Sequence, residues 1–187
     1  MAVNFEIKAL TAEHKKWVDE FIANRWSAET IVVHGSVYRP AELPGFAACI
    51  GETAIGLVTY HLDGDACELV SLDSLRPRLG IGYALMDAVL TTAWQAGCRR
   101  TWLVTTNDNT LAMRFYQRYG FTFSAIRCNA VAESRRIKPS IPLVGMDDIP
   151  IRDEIEFELW LDEETVKPRF KFDREGVTHR HPFHGCN

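Results

Sequence analysis

The stretch from Glu68 to Gln95 constrains this chain more than any other. Leu69, Val70 and Leu72 read as a short apolar strand, and Ser74 to Arg78 as a polar turn containing Pro77. Two glycines, Gly80 and Gly82, then open a segment with apolar residues at Ile81, Leu85, Val89 and Ala96. That spacing predicts a helix over 81–96 with one buried face, stopped by Gly97. A strand, a Gly-x-Gly turn and a helix N-terminus together form an anion site. Unbonded N–H groups point outward, the helix dipole favours negative charge, and glycine lets a phosphate approach the backbone. The backbone amides of Gly80, Ile81, Gly82 and Tyr83 are the candidate donors.

Two familiar phosphate motifs do not fit. A dinucleotide fingerprint needs Gly or Ala three positions after the second glycine, where this chain has Leu85. A P-loop closes with Gly-Lys-Ser/Thr, and here Tyr83 and Ala84 follow Gly82.

A second block runs from Asn109 to Phe121. Asn109, Ala112 and Tyr116 are offset by three and seven residues and share one helical face. Leu111, Phe115 and Tyr119 line a neighbouring face suited to packing on a sheet. Gly120 is a natural helix stop, and Phe121 restarts a strand that runs to Cys128. Thr101 to Thr106 reads as a strand between the two blocks, so the strand–helix–strand unit places two parallel strands side by side.

Together the blocks resemble the GNAT superfamily of acyl-CoA-dependent N-acetyltransferases. The family's Gln/Arg-x-x-Gly-x-Gly/Ala motif falls on Pro77-Arg78-Leu79-Gly80-Ile81-Gly82, with proline in the Gln/Arg position and Arg76 and Arg78 flanking it. Its Asn-x-x-Ala-x-x-x-Tyr-x-x-x-Gly-Phe motif matches from Asn109 to Phe121 at every defined position. The resemblance spans roughly residues 45–128.

The resemblance implies an α/β (α+β) fold with a mixed, mostly antiparallel twisted sheet flanked by helices. It implies acetyl-CoA as acyl donor, a small-molecule or peptide amine as acceptor, and no metal. Two splayed strands would take the pantetheine arm. By the same resemblance, Ser71 and Leu72 at the strand end hold that arm and polarise the thioester carbonyl. Arg76, Arg78, Leu79 and the Gly80–Tyr83 amides meet the pyrophosphate, either arginine being eligible. Asn109 and Ala112 contact the cofactor, and Tyr116 is the general acid. Glu68, four residues before Leu72, is the candidate base. A homodimer is common in such proteins, though no sequence feature sets its mode. A CoA-binding sensor without acetyl transfer is the alternative, encouraged by Pro77. An interaction protein with vestigial motifs is a third class.

The rest of the chain reads as the frame for these blocks. At 187 residues, a single domain over 1–165 with a tail over 166–187 is the simplest organisation. Apolar residues at 47% are enough for a core, and a net charge of −4 without a basic stripe argues against a nucleic-acid partner. The sequence shows neither a membrane-length apolar run nor a signal-peptide core, and its five scattered cysteines read as reduced thiols, so a cytoplasmic protein is expected. Val3 to Ala9 alternates as a strand, and Thr11 caps a helix whose Trp17, Phe21 and Trp26 serve the core or touch substrate. Ile31 to Tyr38 reads as one strand carrying a structural or exposed His34. Gly45 to Ile50, Ala54 to Leu62 and Ala66 to Leu72 form a meander.

Beyond Cys128, Glu133 to Pro150 holds three prolines and reads as an ordered loop, serving either as a substrate lid or as a surface or dimer contact. Ile151 to Leu161 alternates Ile155, Phe157 and Leu159 with Glu154, Glu156 and Glu158, as expected of an edge strand with a solvated acidic face, the alternative being a row that attracts a cationic acceptor. His179, His181, His184 and Cys186 belong to a tail expected to be flexible.

Overall fold

A computed structural model of the chain describes residues 4–26, 29–168, 170–173 and 176–179. In chain order the elements are β1 (Glu6–Ala9), α1 (Lys15–Trp26), β2 (Ile31–Val33), β3 (Ser36–Tyr38), β4 (Gly45–Ile50), β5 (Thr53–Asp63) and β6 (Ala66–Ser74). They continue with α2 (Ile81–Gln95), β7 (Arg100–Thr106), α3 (Thr110–Tyr119), β8 (Thr122–Arg127), α4 (Ala130–Ile137), β9 (Glu154–Trp160), β10 (Phe170–Asp173) and β11 (Gly176–His179). A short 3₁₀ turn over Ala12–His14 precedes α1, where Thr11 and His14 bond each other's backbone and side chain as a capping pair.

One seven-stranded sheet in the order β1-β4-β5-β6-β7-β9-β8 carries the fold. Its β6–β7 pair is parallel, and every other neighbouring pair is antiparallel. The alternation of each strand sorts its side chains onto two cores. On one face Val58, Leu69, Leu103 and Phe157 pack with Leu85, Met86 and Val89 of α2, and Met113, Phe115 and Tyr116 of α3 close the edge of that cluster. On the other, Leu57 and Val70 pack with Val18, Phe21 and Ile22 of α1 and with Ile31 and Val33 of β2.

Two features shape the middle of the sheet. Tyr60 pairs with Leu69 and Thr59 with Ser71, so Val70 is an extra residue bulged out of β6. The β6–β7 register ends at Leu69 opposite Leu103, although β6 continues to Ser74 and β7 to Thr106. The bulge and the parting of the two strands coincide, and a gap opens between them toward their C-terminal ends.

Several expectations need correction. Ile31 to Tyr38 is a hairpin, not one strand: His34 and Gly35 take positive φ of 48° and 76° and reverse the chain. Glu133 to Ile137 is helical, because the prolines that break helices begin only at Pro139 and Val131 and Ser134 turn inward on α4. Leu111 is exposed, leaving Phe115 and Tyr119 to face the core. Strand β9 lies between β7 and β8, not at the edge, and its glutamates are largely buried. The charge of two of them is taken up locally: Arg100 donates to Glu156 at 2.8 Å and to Glu158 at 2.7 Å.

Strands β10 and β11 pair as a hairpin within the stretch read as a tail, and Val166 still packs on the main core. His181, His184 and Cys186 lie outside the described residues, as does the side chain of His179. Cys49, Cys67 and Cys98 are buried free thiols, and Cys128 is exposed. Among the described residues no helix is long and apolar enough to cross a membrane.

Candidate active site

The gap between β6 and β7 is a cleft. Ser71 and Leu72 form one wall, Val104 to Thr106 the opposite one, and Asn109, Ala112 and Tyr116 of α3 the end. The two distant blocks of sequence therefore meet in one space. Asn109 is there by local logic: as N-cap of α3, its side-chain oxygen accepts from the Ala112 N–H at 3.2 Å. Ala112 and Tyr116 follow on the same helical face.

Tyr116 is half-buried, and its phenol forms no hydrogen bond among the described residues. Burial, reinforced by the negative charge of Asp73, pushes its pKa above the usual tyrosine value, so the phenol keeps its proton at neutral pH. Ser71 is buried, its hydroxyl tied to that of Thr59 at 2.7 Å.

At the head of the cleft β6 runs into α2 through an exposed turn. Arg78 and Gly80 hold positive φ of 67° and 78°, and Gly80 caps the helix. The first intrahelical bond runs from Ala84 N–H to the Gly80 carbonyl at 3.0 Å, so the amides of Ile81 and Gly82 have no acceptor within the helix. Tyr83 lies on the same first turn. Arg76 and Arg78 are exposed on the turn, and Leu79 is partly buried against the core. The Ile81 side chain is buried beneath the helix, which anchors this terminus to the sheet. A splayed strand pair ending at a glycine-opened helix start fits a ligand with an extended amide arm and a pyrophosphate.

Glu68 does not reach this cleft. Its carboxylate opens into an adjoining cavity lined by Tyr38, His61, Asp63, His34 and Trp102, and Val33 borders both spaces. There it accepts the Tyr38 hydroxyl at 2.7 Å. Burial raises its pKa, against the Tyr38 bond and the His61 charge, which lower it.

Of the α1 aromatics read as core or substrate contacts, Trp26 borders the cleft's third wall, while Trp17 and Phe21 pack in the core. The rest of that wall was not read from the sequence. Ile31 and Val33 border it, as do Asp73 and Glu154. The end of α1 is fastened there by Asp73, which accepts from Trp26 Nε1 at 2.8 Å and from Arg25 at 3.0 Å. Lys138, at the end of α4, donates to the Thr30 carbonyl at 2.7 Å and to that of Trp26 at 3.1 Å. Among the described residues, 138–150 contributes no lining to the cleft. Lys138 is the point at which this stretch fastens to the wall of the site. Its proline-rich part is held by Arg135, which donates to the Ile141, Pro142 and Ile151 carbonyls. Glu154 was visible as part of an alternating strand, but only the sheet order turns its side toward the cleft.

The chain is similar to known proteins over most of its length. YdhI of Bacillus subtilis (strain 168) is 43% identical over 150 residues, covering 79% of this chain and 93% of that protein. Among solved structures, the IAA acetyltransferase from Bacillus cereus ATCC 14579 superposes with a TM-score of 0.65 at 18% identity, over 84% of this chain and 100% of its own. A GNAT family acetyltransferase from Elizabethkingia anophelis, with acetyl-CoA bound, superposes with a TM-score of 0.59 at 19% identity, over 84% and 99%. Residues 10–121 match the family model described as the acetyltransferase (GNAT) family, so this chain is a member of the GNAT acetyltransferases.

Proposed function

We propose that the chain moves an acetyl group from acetyl-CoA to a primary amine by direct attack. One observation carries this reading: the strand end at Ser71 and Leu72, the cap Asn109 and the phenol of Tyr116 border a single cleft. In this reading the amides of Gly80, Ile81, Gly82 and Tyr83, with Arg76, Arg78 and Leu79 on the preceding turn, take the pyrophosphate. The β6 edge beyond Leu69, freed from β7, supplies backbone groups for the amide arm and an N–H for the thioester carbonyl at Ser71–Leu72. Asn109 and Ala112 pack against the arm.

Tyr116 gives its proton to the departing thiolate. Its raised pKa supports that role, since the phenol stays protonated until charge develops on sulfur. Glu68 serves as base only for an amine seated in the adjoining cavity, where its carboxylate opens. A small molecule or a peptide amine is the acceptor.

Calorimetric titration of acetyl-CoA into the wild type and a Gly82→Glu variant tests the reading. We expect micromolar-range binding that the variant loses, followed by amine-dependent release of free thiol. Binding without amine-dependent thiol release would favour a CoA sensor. Absence of binding to the wild type would overturn both.

A further inference from the structure

Two carboxylates border the cleft with Tyr116. Asp73 is held by Arg25 and Trp26, whereas the surroundings of Glu154 are unlike those of its neighbours on β9. Glu156 and Glu158 are paired with Arg100. Glu154 is 4% exposed, and its Oε1 accepts from the Ser134 hydroxyl of α4 at 2.9 Å. Its Oε2 is buried and has no hydrogen-bond partner among the described residues. The nearest cationic candidate is His34 Nε2 at 3.4 Å, itself without a hydrogen bond. Burial first, and then the Arg127 charge, lower the His34 pKa against Glu154 and Glu156, which raise it, and the net shift is below the ordinary value, so the imidazole is uncharged at neutral pH.

The other charged groups facing this position are Glu156 on the same strand and Arg127, the register partner of Glu154 on β8, whose guanidinium lies 3.7 Å from Glu156. A buried carboxylate oxygen left without a donor keeps the full cost of its lost hydration. The position makes physical sense when something cationic enters the cleft to meet it.

We propose that Glu154 Oε2 receives the acceptor's ammonium group and is the catalytic base for amines that react in the cleft. The inference rests on the acetyl-transfer reading above. Glu154 takes one proton from the ammonium, freeing the nitrogen lone pair. The nitrogen forms a bond to the thioester carbonyl carbon as the carbon–sulfur bond breaks, with its electron pair leaving on sulfur. Tyr116 donates its proton to that sulfur, and the second proton shed by the nitrogen restores the phenol. The proton on Glu154 passes to solvent, so the sum is amide, free thiol and one proton. Ser134 fixes the carboxylate through Oε1, and the neutral His34 leaves Oε2 without a competing cation.

The test uses the full chain with acetyl-CoA and three amine probes: tyramine, spermidine and a short peptide with a free N-terminus. Thiol release and acetyl-CoA affinity are followed in the wild type and in Glu154→Gln, Glu154→Ala and Glu68→Gln. The expected result is a fall of about 10²–10⁴-fold in kcat for Glu154→Gln with acetyl-CoA affinity kept within about two-fold. Sodium formate should restore part of the activity to Glu154→Ala, which a purely structural carboxylate would not allow. Glu68→Gln should lose far less.

A Glu154→Gln enzyme that keeps kcat within about three-fold overturns the assignment, as does a larger loss in Glu68→Gln with no formate rescue of Glu154→Ala. If the wild type binds acetyl-CoA but turns over none of the amines, the acetyl-transfer reading fails and takes this inference with it.

Discussion

The Cα of Gly56 on β5 lies so close to Ile81, the first residue of α2, that a methyl group built on it would sit 2.6 Å from Ile81 Cγ2. The same methyl would be 3.1 Å from the Asp73 carbonyl and 3.2 Å from Leu85. The helix start proposed to take the pyrophosphate is thus seated directly on the sheet, and a glycine permits the approach. Gly56→Ala should cost about 1–3 kcal/mol by overpacking. It should also weaken acetyl-CoA binding, because the relief available is to lift the N-terminus of α2. Chemical denaturation and calorimetric titration of one variant check both outcomes.

Tyr116→Phe removes a proton donor while keeping the ring packed against Phe157 and Phe121. The rate of thiol release should fall by about 10²–10⁴-fold, with acetyl-CoA affinity preserved. Because burial places the phenol's pKa above its ordinary value of 10.0, any decline in wild-type rate between pH 8 and about 10 should persist in an assay of residual Tyr116→Phe activity. A decline that disappears with the hydroxyl would contradict the assignment.

Asn109→Ala should reveal two roles at once. Losing the bond to the Ala112 N–H costs about 0.5–2 kcal/mol, as for other N-caps. Asn109→Asp keeps the cap but places negative charge in the cleft. Stability should be retained in Asn109→Asp and lost in Asn109→Ala, as read from denaturant midpoints, whereas acetyl-CoA affinity should fall in both.

The pH dependence of stability carries a signature of Glu68. Its carboxyl pKa is raised from the reference value of 4.5 by burial, so the folded state holds the proton more tightly than the unfolded one. The associated stabilisation is complete below the unfolded pKa and is lost as pH rises through the higher folded value. Glu68→Gln, which keeps an oxygen to accept from Tyr38, removes that dependence. Its melting temperature relative to wild type should therefore be higher at pH 7 than at pH 4, and calorimetry at the two pH values checks the sign.

The local logic of the chain was legible one element at a time. Periodicity located α2 and α3 almost to the residue, because Gly80, Asn109 and Gly120 are terminators acting over a single turn. Elements whose character depends on neighbours were misread. The apolar run through His34 looks like one strand until His34 and Gly35 adopt left-handed backbone, and the prolines after Lys138 hid the helix before them. The alternation of β9 was right, but its setting was not: a solvated glutamate row and a buried one have the same sequence, and the difference lies in which strands flank it.

The sequence by itself determined the glycine-opened turn into α2, the face shared by Asn109, Ala112 and Tyr116, and the family, since each rests on spacing within one element or on matched motifs. Tertiary structure decided what these residues face. Strand order and the Val70 bulge part β6 from β7, put Glu68 in the cavity beside the cleft, and bring Glu154 and Trp26 to its wall from opposite ends of the chain. Spacing along a helix or strand is fixed by backbone geometry over a few residues. The partner a side chain meets across a sheet depends on contacts between segments more than a hundred residues apart, which no local pattern encodes.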